Sequence, residues 1–153
     1  MGYEVRITKS KVRLSKKYFK EACDYLLSTS FLEENDKMSG MRSKNGEIIE
    51  RYYAWVDMDR FKNALEKGDL PEAFHWFGFD YLTDNDGNIV ELLFDNKAGD
   101  EEHFLNCLRE YFDEDDFIEF EGEDGRKWKY VFKNTWMYCY EPMEVWSVVD
   151  IFK

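Results

Sequence analysis

The stretch Phe117-Ile-Glu-Phe-Glu-Gly-Glu-Asp-Gly-Arg-Lys-Trp-Lys-Tyr-Val-Phe132 decides the fold. It reads as a β-hairpin whose register follows from side-chain pairing. A three-residue loop of Glu123, Asp124 and Gly125, with Gly125 as the left-handed residue of a type I turn plus bulge, sets Phe120 opposite Trp128 and Ile118 opposite Tyr130. Glu119 then faces Lys129 and Glu121 faces Lys127. One side is aromatic and the other pairs opposite charges, each pair contributing roughly 0.2–1 kcal/mol. A two-residue Asp-Gly loop would oppose Glu121 to Trp128 and Phe120 to Lys129, so the longer loop is preferred.

Around this hairpin the remaining elements read outward. Tyr3 to Thr8 alternates as a strand. Ser15 is placed to cap a helix running to Ser28, with Tyr18, Phe19, Ala22, Cys23, Leu26 and Leu27 as its buried stripe. Residues 33–47 read as a long mobile loop; Asn45-Gly46 is a hairpin signal, but the strand before it is weak. Arg51–Val56 reads as a buried strand. Asp57 caps a helix that Gly68 ends, and Asp69-Leu-Pro-Glu72 restarts it. A second hairpin surrounds Asp84-Asn-Asp-Gly87, with its register open. Asp100 caps a helix through Phe112, and Thr135–Tyr140 and Glu144–Phe152 read as strands joined at Glu141-Pro142-Met143.

Hairpins in sequence beside a few helices indicate an α+β fold: an antiparallel β-sheet built from sequential hairpins, with about three helices packed on one face. The expected organisation is a single domain over 1–153 with an acidic hairpin region at 110–132. The expected core is Tyr18, Phe19, Leu26, Trp55, Phe61, Leu65, Leu92, Phe104, Leu108, Phe120, Trp128 and Tyr130. Aromatics make up 18% of the 153 residues, enough for a substantial interior and far from a disordered composition.

The net charge of −12 is unevenly spread. Met1–Arg51 holds 11 Lys/Arg against 8 Asp/Glu, a net of +3, while the remainder holds 10 against 25, a net of −15. Nine acidic residues and no Lys or Arg lie between Glu110 and Asp124. Such a surface repels nucleic-acid phosphates and attracts basic partners; simple solubility is the plainer reading. Lys9, Lys11, Arg13, Lys16, Lys17 and Lys20 form either a basic patch for RNA or an acidic protein, or a solvated face balanced by the acidic remainder. Three cysteines at no metal-like spacing, with no apolar signal region, no apolar run long enough for a membrane and no myristoylation pattern, give a cytoplasmic expectation.

The hairpin resembles a segment of small uncharacterised proteins of bacteria, phages and prophages. That segment runs Tyr-Ile-Glu, two variable residues, Gly-Glu-Asp-Gly, two variable residues, then Trp-Arg-Trp-Val-Phe. Here it stands as Phe117-Ile118-Glu119, Gly122-Glu123-Asp124-Gly125 and Trp128-Lys129-Tyr130-Val131-Phe132. Tyr53-Ala-Trp55-Val-Asp57, Asp86-Gly87-Asn88-Ile89-Val90 and Gly99-Asp100-Glu101-Glu102 before Phe104 are similar as well. Tyr130 in place of the second Trp, the acidic Asp113–Asp116 and the strands over 135–153 depart from the pattern. The resemblance implies a mobile-element context and no active site.

The functional expectation is a non-enzymatic acidic binding protein, an inhibitor of a host nucleic-acid enzyme of the nucleic-acid-mimic, anti-CRISPR or anti-restriction type. Its partner is a basic protein surface, with no direct DNA binding and no membrane. The candidate partner-binding residues are Asp113, Glu114, Asp115, Asp116, Glu119, Glu121, Glu123 and Asp124. No catalytic residue, metal or cofactor is expected. Asp84-Asn-Asp86-Gly87 reads as a turn, because Leu82 and Leu93 stand where a calcium loop needs ligands. His103 and Cys107 stand four apart with no second ligand pair in the sequence to complete a metal site, and a consecutive Asp113–Asp116 run is a poor magnesium site. His75 reads as a packed or hydrogen-bonded core histidine. The alternative is a small-ligand module or enzyme with a pocket walled by Trp55, Trp76, Trp128 and Trp136.

Overall fold

The computed structural model describes residues 3–29, 40–44, 47–52, 56–97 and 99–152. The hairpin stands in the expected register. Strand β6 (Phe117–Gly122) pairs antiparallel with β7 (Lys127–Lys133), with Phe120 opposite Trp128 and Glu121 opposite Lys127. Gly125 has φ +85°, and the Gly122 amide donates to the Arg126 carbonyl at 2.8 Å, closing the loop. Strand β8 (Trp136–Tyr140) continues the meander on β7.

The other hairpin is β4 (Phe79–Thr83) with β5 (Ile89–Lys97), and a bulge between Leu82 and Thr83 sets its register. Its turn is organised by one side chain. The Asp84 carboxylate accepts from the amides of Asp86 and Asn88 and from the Asn88 side chain, at 2.9–3.0 Å. Those bonds, the Asn88 side chain first, hold the carboxyl below its ordinary range.

The two hairpin units are joined by the first strand of the chain. Strand β1 (Glu4–Lys11) lies between β5 and β6, giving a six-stranded antiparallel sheet ordered β4-β5-β1-β6-β7-β8. Its ladder to β5 runs only over Glu4–Arg6. Beyond that the Ser10 hydroxyl stands in for a backbone group, donating to the Leu92 carbonyl at 2.8 Å and accepting its amide at 2.9 Å. The chain returns to β5 at Leu14, which bridges Ile89.

One side of this sheet carries the helices α1 (Phe19–Ser28), α2 (Met58–Lys67), α3 (Leu70–Trp76) and α4 (Glu101–Cys107). The fold is α+β. Phe104 anchors the interior, with ring centroids 4.5–6.0 Å from those of Phe61, Phe74, Phe77 and Phe79. The ends of α2 and the start of α3 follow their sequence signals. Asp57 and Asp69 each accept an amide three residues on, at 3.1 Å, and Gly68 closes α2 at φ +73°. Among the described residues, no helix is long and apolar enough to cross a membrane.

Several expectations need correction. Residues 40–44 are not loop but strand β2 (Gly40–Lys44), paired with β3 (Glu47–Tyr52) from Gly40↔Tyr52 to Lys44↔Glu47. The β-rich partner strand decides the pairing despite the weak propensity of Gly-Met-Arg-Ser-Lys. Glu47 opens β3, and residues 33–39, 45 and 46, and Trp55, lie outside the described residues. Helix α1 begins only after a 3-10 turn at Lys16–Tyr18, which takes Tyr18 off the buried stripe and leaves it 40% exposed. Asp100 flanks α4, but its carboxylate lies 3.5 Å from His103 and makes no cap bond; α4 stops at Cys107, and a 3-10 turn follows over Arg109–Tyr111. Trp128 is half-buried, stacked on the fully buried Phe120 at 5.7 Å and 5°.

Glu144–Phe152 forms no strand. Seven apolar side chains between Met143 and Phe152 are instead 73–95% exposed. β-propensity without a ladder partner leaves the backbone groups to water.

Candidate functional site

The candidate carboxylates fall into three groups along β6 and β7. At the first end, the loop entering β6 is pinned to the end of β7. Phe112 stacks on Phe132 at 3.9 Å, and the Asp115 amide donates to the Phe132 carbonyl at 2.8 Å. Asp115 takes φ +66° here, a conformation that Asp tolerates better than most residues. Its exposed carboxylate lies 3.9 Å from Lys133. Asp113 faces solvent with Arg13 4.0 Å away, and exposed Glu114 accepts the Asn134 amide at 3.0 Å.

Asp116 turns inward and is only 7% exposed. One of its oxygens accepts from the amides of Arg13 and Asp113, both at 2.8 Å, tying the exit of β1 to the loop. Burial pushes this carboxyl up to about 6, against the opposing pull of the two amides. Asp116 is a bracket within the fold and presents no carboxylate to a partner.

In the middle, Glu119 and Glu121 lie on the side of the sheet that carries no helix, both half-buried. Glu121 lies 3.4 Å from Arg6 and 3.9 Å from Lys127, and Glu119 accepts the Thr8 hydroxyl at 3.3 Å. The Glu121 charge is met by cations on β1 and β7, while Glu119 has the neutral Thr8 hydroxyl. Lys129, opposite Glu119, lies over the Phe117 and Tyr140 rings at 5.9 and 6.0 Å.

At the far end, Glu123 and Asp124 are exposed on the turn. The Glu123 amide donates to the Glu4 carbonyl at 2.9 Å. Asp124 accepts the Tyr3 hydroxyl and, at 3.1 Å, the Arg126 amide; the Tyr3 bond is the main reason its carboxyl sits below the ordinary range. Tyr3 fits here because Gly122 has no side chain: a Cβ there would stand 1.7 Å from the Tyr3 oxygen. A cleft of about 250 Å³ beside this turn is lined by Glu4, Asp95, Glu121 and Glu123 around Arg6.

The other candidates are not gathered into one place. Trp76 lies under Arg60 at 4.6 Å and donates to Glu72 at 3.3 Å, while Trp136 is 60% exposed with Arg109 5.6 Å above it. The two clefts lined by Trp128 include neither of them. The four-tryptophan pocket is therefore not formed by the described members, which stand on α3, β7 and β8. His75 is exposed, its ring edge against Trp76 at 4.7 Å, because it points away from the face of α3 that buries Leu70, Ala73 and Phe74. Among the described residues, no three His, Cys, Asp or Glu side chains converge to hold a metal ion. Four of the basic residues have partners within the chain: Lys9 lies 5.8 Å over Phe117, Arg13 3.6 Å from Asp84, Lys17 4.9 Å over Tyr18 and Lys20 3.2 Å from Asp24.

The helix-free side of the sheet also carries Trp136, Tyr138 and Tyr140 on β8, exposed by 60, 44 and 44%. The alternation in Trp-Met-Tyr-Cys-Tyr is the sequence signal that puts these three on one side. Comparison with protein-family models, curated proteins and solved structures found no match to the chain.

Proposed function

We propose that this chain is a non-enzymatic acidic binding protein whose partner is a basic protein surface, such as the nucleic-acid channel of a host enzyme. The observation that carries the reading is the pair of exposed acidic ends on one clamped hairpin. Asp113, Glu114 and Asp115 stand at one end and Glu123 and Asp124 at the other, separated by the six residues of β6, roughly 20 Å. The Asp115 and Glu123 backbones are already fixed by their bonds to Phe132 and Glu4, and the Glu114 and Asp124 carboxylates by the amides of Asn134 and Arg126. Carboxylates held in place before binding lose little conformational freedom on contact. They attract cationic surfaces over a Debye length, so binding weakens as salt rises. Glu119 and Glu121 contribute less, being half-buried where the end residues are exposed, with Glu121 also held between Arg6 and Lys127.

The likeness of the hairpin to phage and prophage proteins supports a bacterial host enzyme as the partner class, with inhibition by nucleic-acid mimicry as the mode. The test is capture from a bacterial lysate on immobilised protein, followed by elution with salt and with duplex DNA. A nucleic-acid enzyme retained at low salt, displaced by DNA, and lost with Asp113→Asn, Asp115→Asn and Glu123→Gln combined is the expected result. Recovery of no such enzyme at low or moderate salt, or retention indifferent to these changes, overturns the reading.

A further inference from the structure

The segment after β8 has the composition of a buried strand and nothing over it. Glu144-Val-Trp-Ser-Val-Val-Asp-Ile-Phe152 places Val145, Val149 and Ile151 on one side of an extended chain and Trp146, Val148 and Phe152 on the other. A strand apolar on both sides needs cover on both sides. β8 itself ends the sheet, so its outward row of amides and carbonyls is open. Folding the segment back along its own β8 would leave its helix-free side bare, and on the helix side even Cys139 of β8 is exposed.

The local geometry also carries the chain away from its own sheet. Arg126, at the β6–β7 turn, holds Glu141 at 2.6 Å, in line with β8 and beyond its end. Pro142 follows, with a fixed φ and a preference for extended backbone in the residue before it. The eleven residues 142–152 then reach roughly 35 Å, about twice the length of a five-residue edge strand.

We infer that this segment pairs with the β8 edge of a second copy, whose own segment returns the exchange. The symmetric dimer brings the two helix-free faces and their Trp136, Tyr138 and Tyr140 side chains over the segments' second side. Covering the seven exposed apolar side chains removes on the order of 1,000 Å² per copy from water, against roughly 800 Å² per partner in a stable interface. One two-fold contact satisfies both open edges and buries both segments.

The experiment is sedimentation velocity with multi-angle light scattering on the full chain, on a chain ending at Glu141, and on the double variant Val148→Pro, Val149→Pro. Neighbouring amides point to opposite edges of a strand, so one of the two prolines falls in the ladder whatever the register, while the apolar character is kept. The full chain is expected at twice 18.5 kDa. The shortened chain is expected as a monomer with an unchanged circular-dichroism spectrum and melt of the body. The double-proline variant is expected to dissociate at least about a hundredfold more readily. A monomeric full chain, a dimer that survives shortening, a dimer indifferent to the prolines, or polydisperse association without a defined dimer each overturns the inference.

Discussion

Asp116 makes stability depend on pH in a direction opposite to that of a salt-bridged carboxylate. Its carboxyl sits at about 6 in the fold, against an ordinary value of 3.8. Between those values the folded chain holds a proton that the unfolded chain has released, so unfolding is favoured as pH rises through this window. The stabilisation is complete below the unfolded value and lost once pH passes the folded one. The rise from 3.8 to about 6 corresponds to at most about 3 kcal/mol, and to about 2 kcal/mol once water at the rim of the exposed Asp113–Asp115 loop is allowed for. The informative perturbation is Asp116→Asn, which keeps an oxygen for the Arg13 and Asp113 amides and removes the titration. Urea melts followed by tryptophan fluorescence, on both proteins from about pH 3.5 to 7.5, give the difference in stability at each pH. The many other carboxylates cancel in that difference. Wild type is expected to lose about 2 kcal/mol relative to Asp116→Asn across the range, most of it between about pH 4 and 6. Parallel profiles, or a wild type that gains on the variant as pH rises, would refute the reasoning.

Three further outcomes follow from the hairpin. Gly125→Val places a β-branched side chain at φ +85° in open space, so strain alone should lower stability by more than about 1 kcal/mol in a denaturant melt. Trp128→Ala should cost about 2–3 kcal/mol, less than Phe120→Ala at about 3–5, because the indole is only half-buried while Phe120 is fully enclosed; equal losses would contradict this difference in burial. Gly122→Ala should cost about 1 kcal/mol by displacing the Tyr3 ring, and much less in a Tyr3→Ala background; a double-mutant cycle showing no coupling would remove Tyr3 from this role.

The hairpin was legible because both of its sides speak at once. Aromatics oppose aromatics and Glu opposes Lys only in one register, and Gly125 marks the loop. Helix ends at Asp57, Gly68 and Asp69 were legible for the same local reason. The place of β1 was not, since its partners lie some 90 and 115 residues away and a strand carries no mark of which neighbours it will find. The second hairpin's register depends on a bulge and on Asp84 acting as a turn former, neither of which the alternation reveals. Tyr18 was misplaced because a 3-10 turn rotates the helical stripe. In the acidic stretch, residue type was readable and direction was not. Asp113, Asp115 and Asp116 are the same residue chemically, and only the two amides awaiting an acceptor turn Asp116 inward.

The position of β1 has a consequence for how the molecule is assembled. Of the six strands in the sheet, the earliest in sequence is the one that closes it: until β5 and then β6 exist, it has nothing to pair with, and until it docks the two hairpin units share no ladder. Loop closure over such separations is slow, so joining the halves should be the late, rate-limiting step of refolding. A chain lacking residues 1–14 should then keep two partly formed halves with a vacant slot between β5 and β6. A synthetic peptide of those fourteen residues should fill it and restore the cooperative melt, as a missing keystone restores an arch. Recovery of the melt without the peptide, or no recovery with it, would show that the halves are held together by the helices instead.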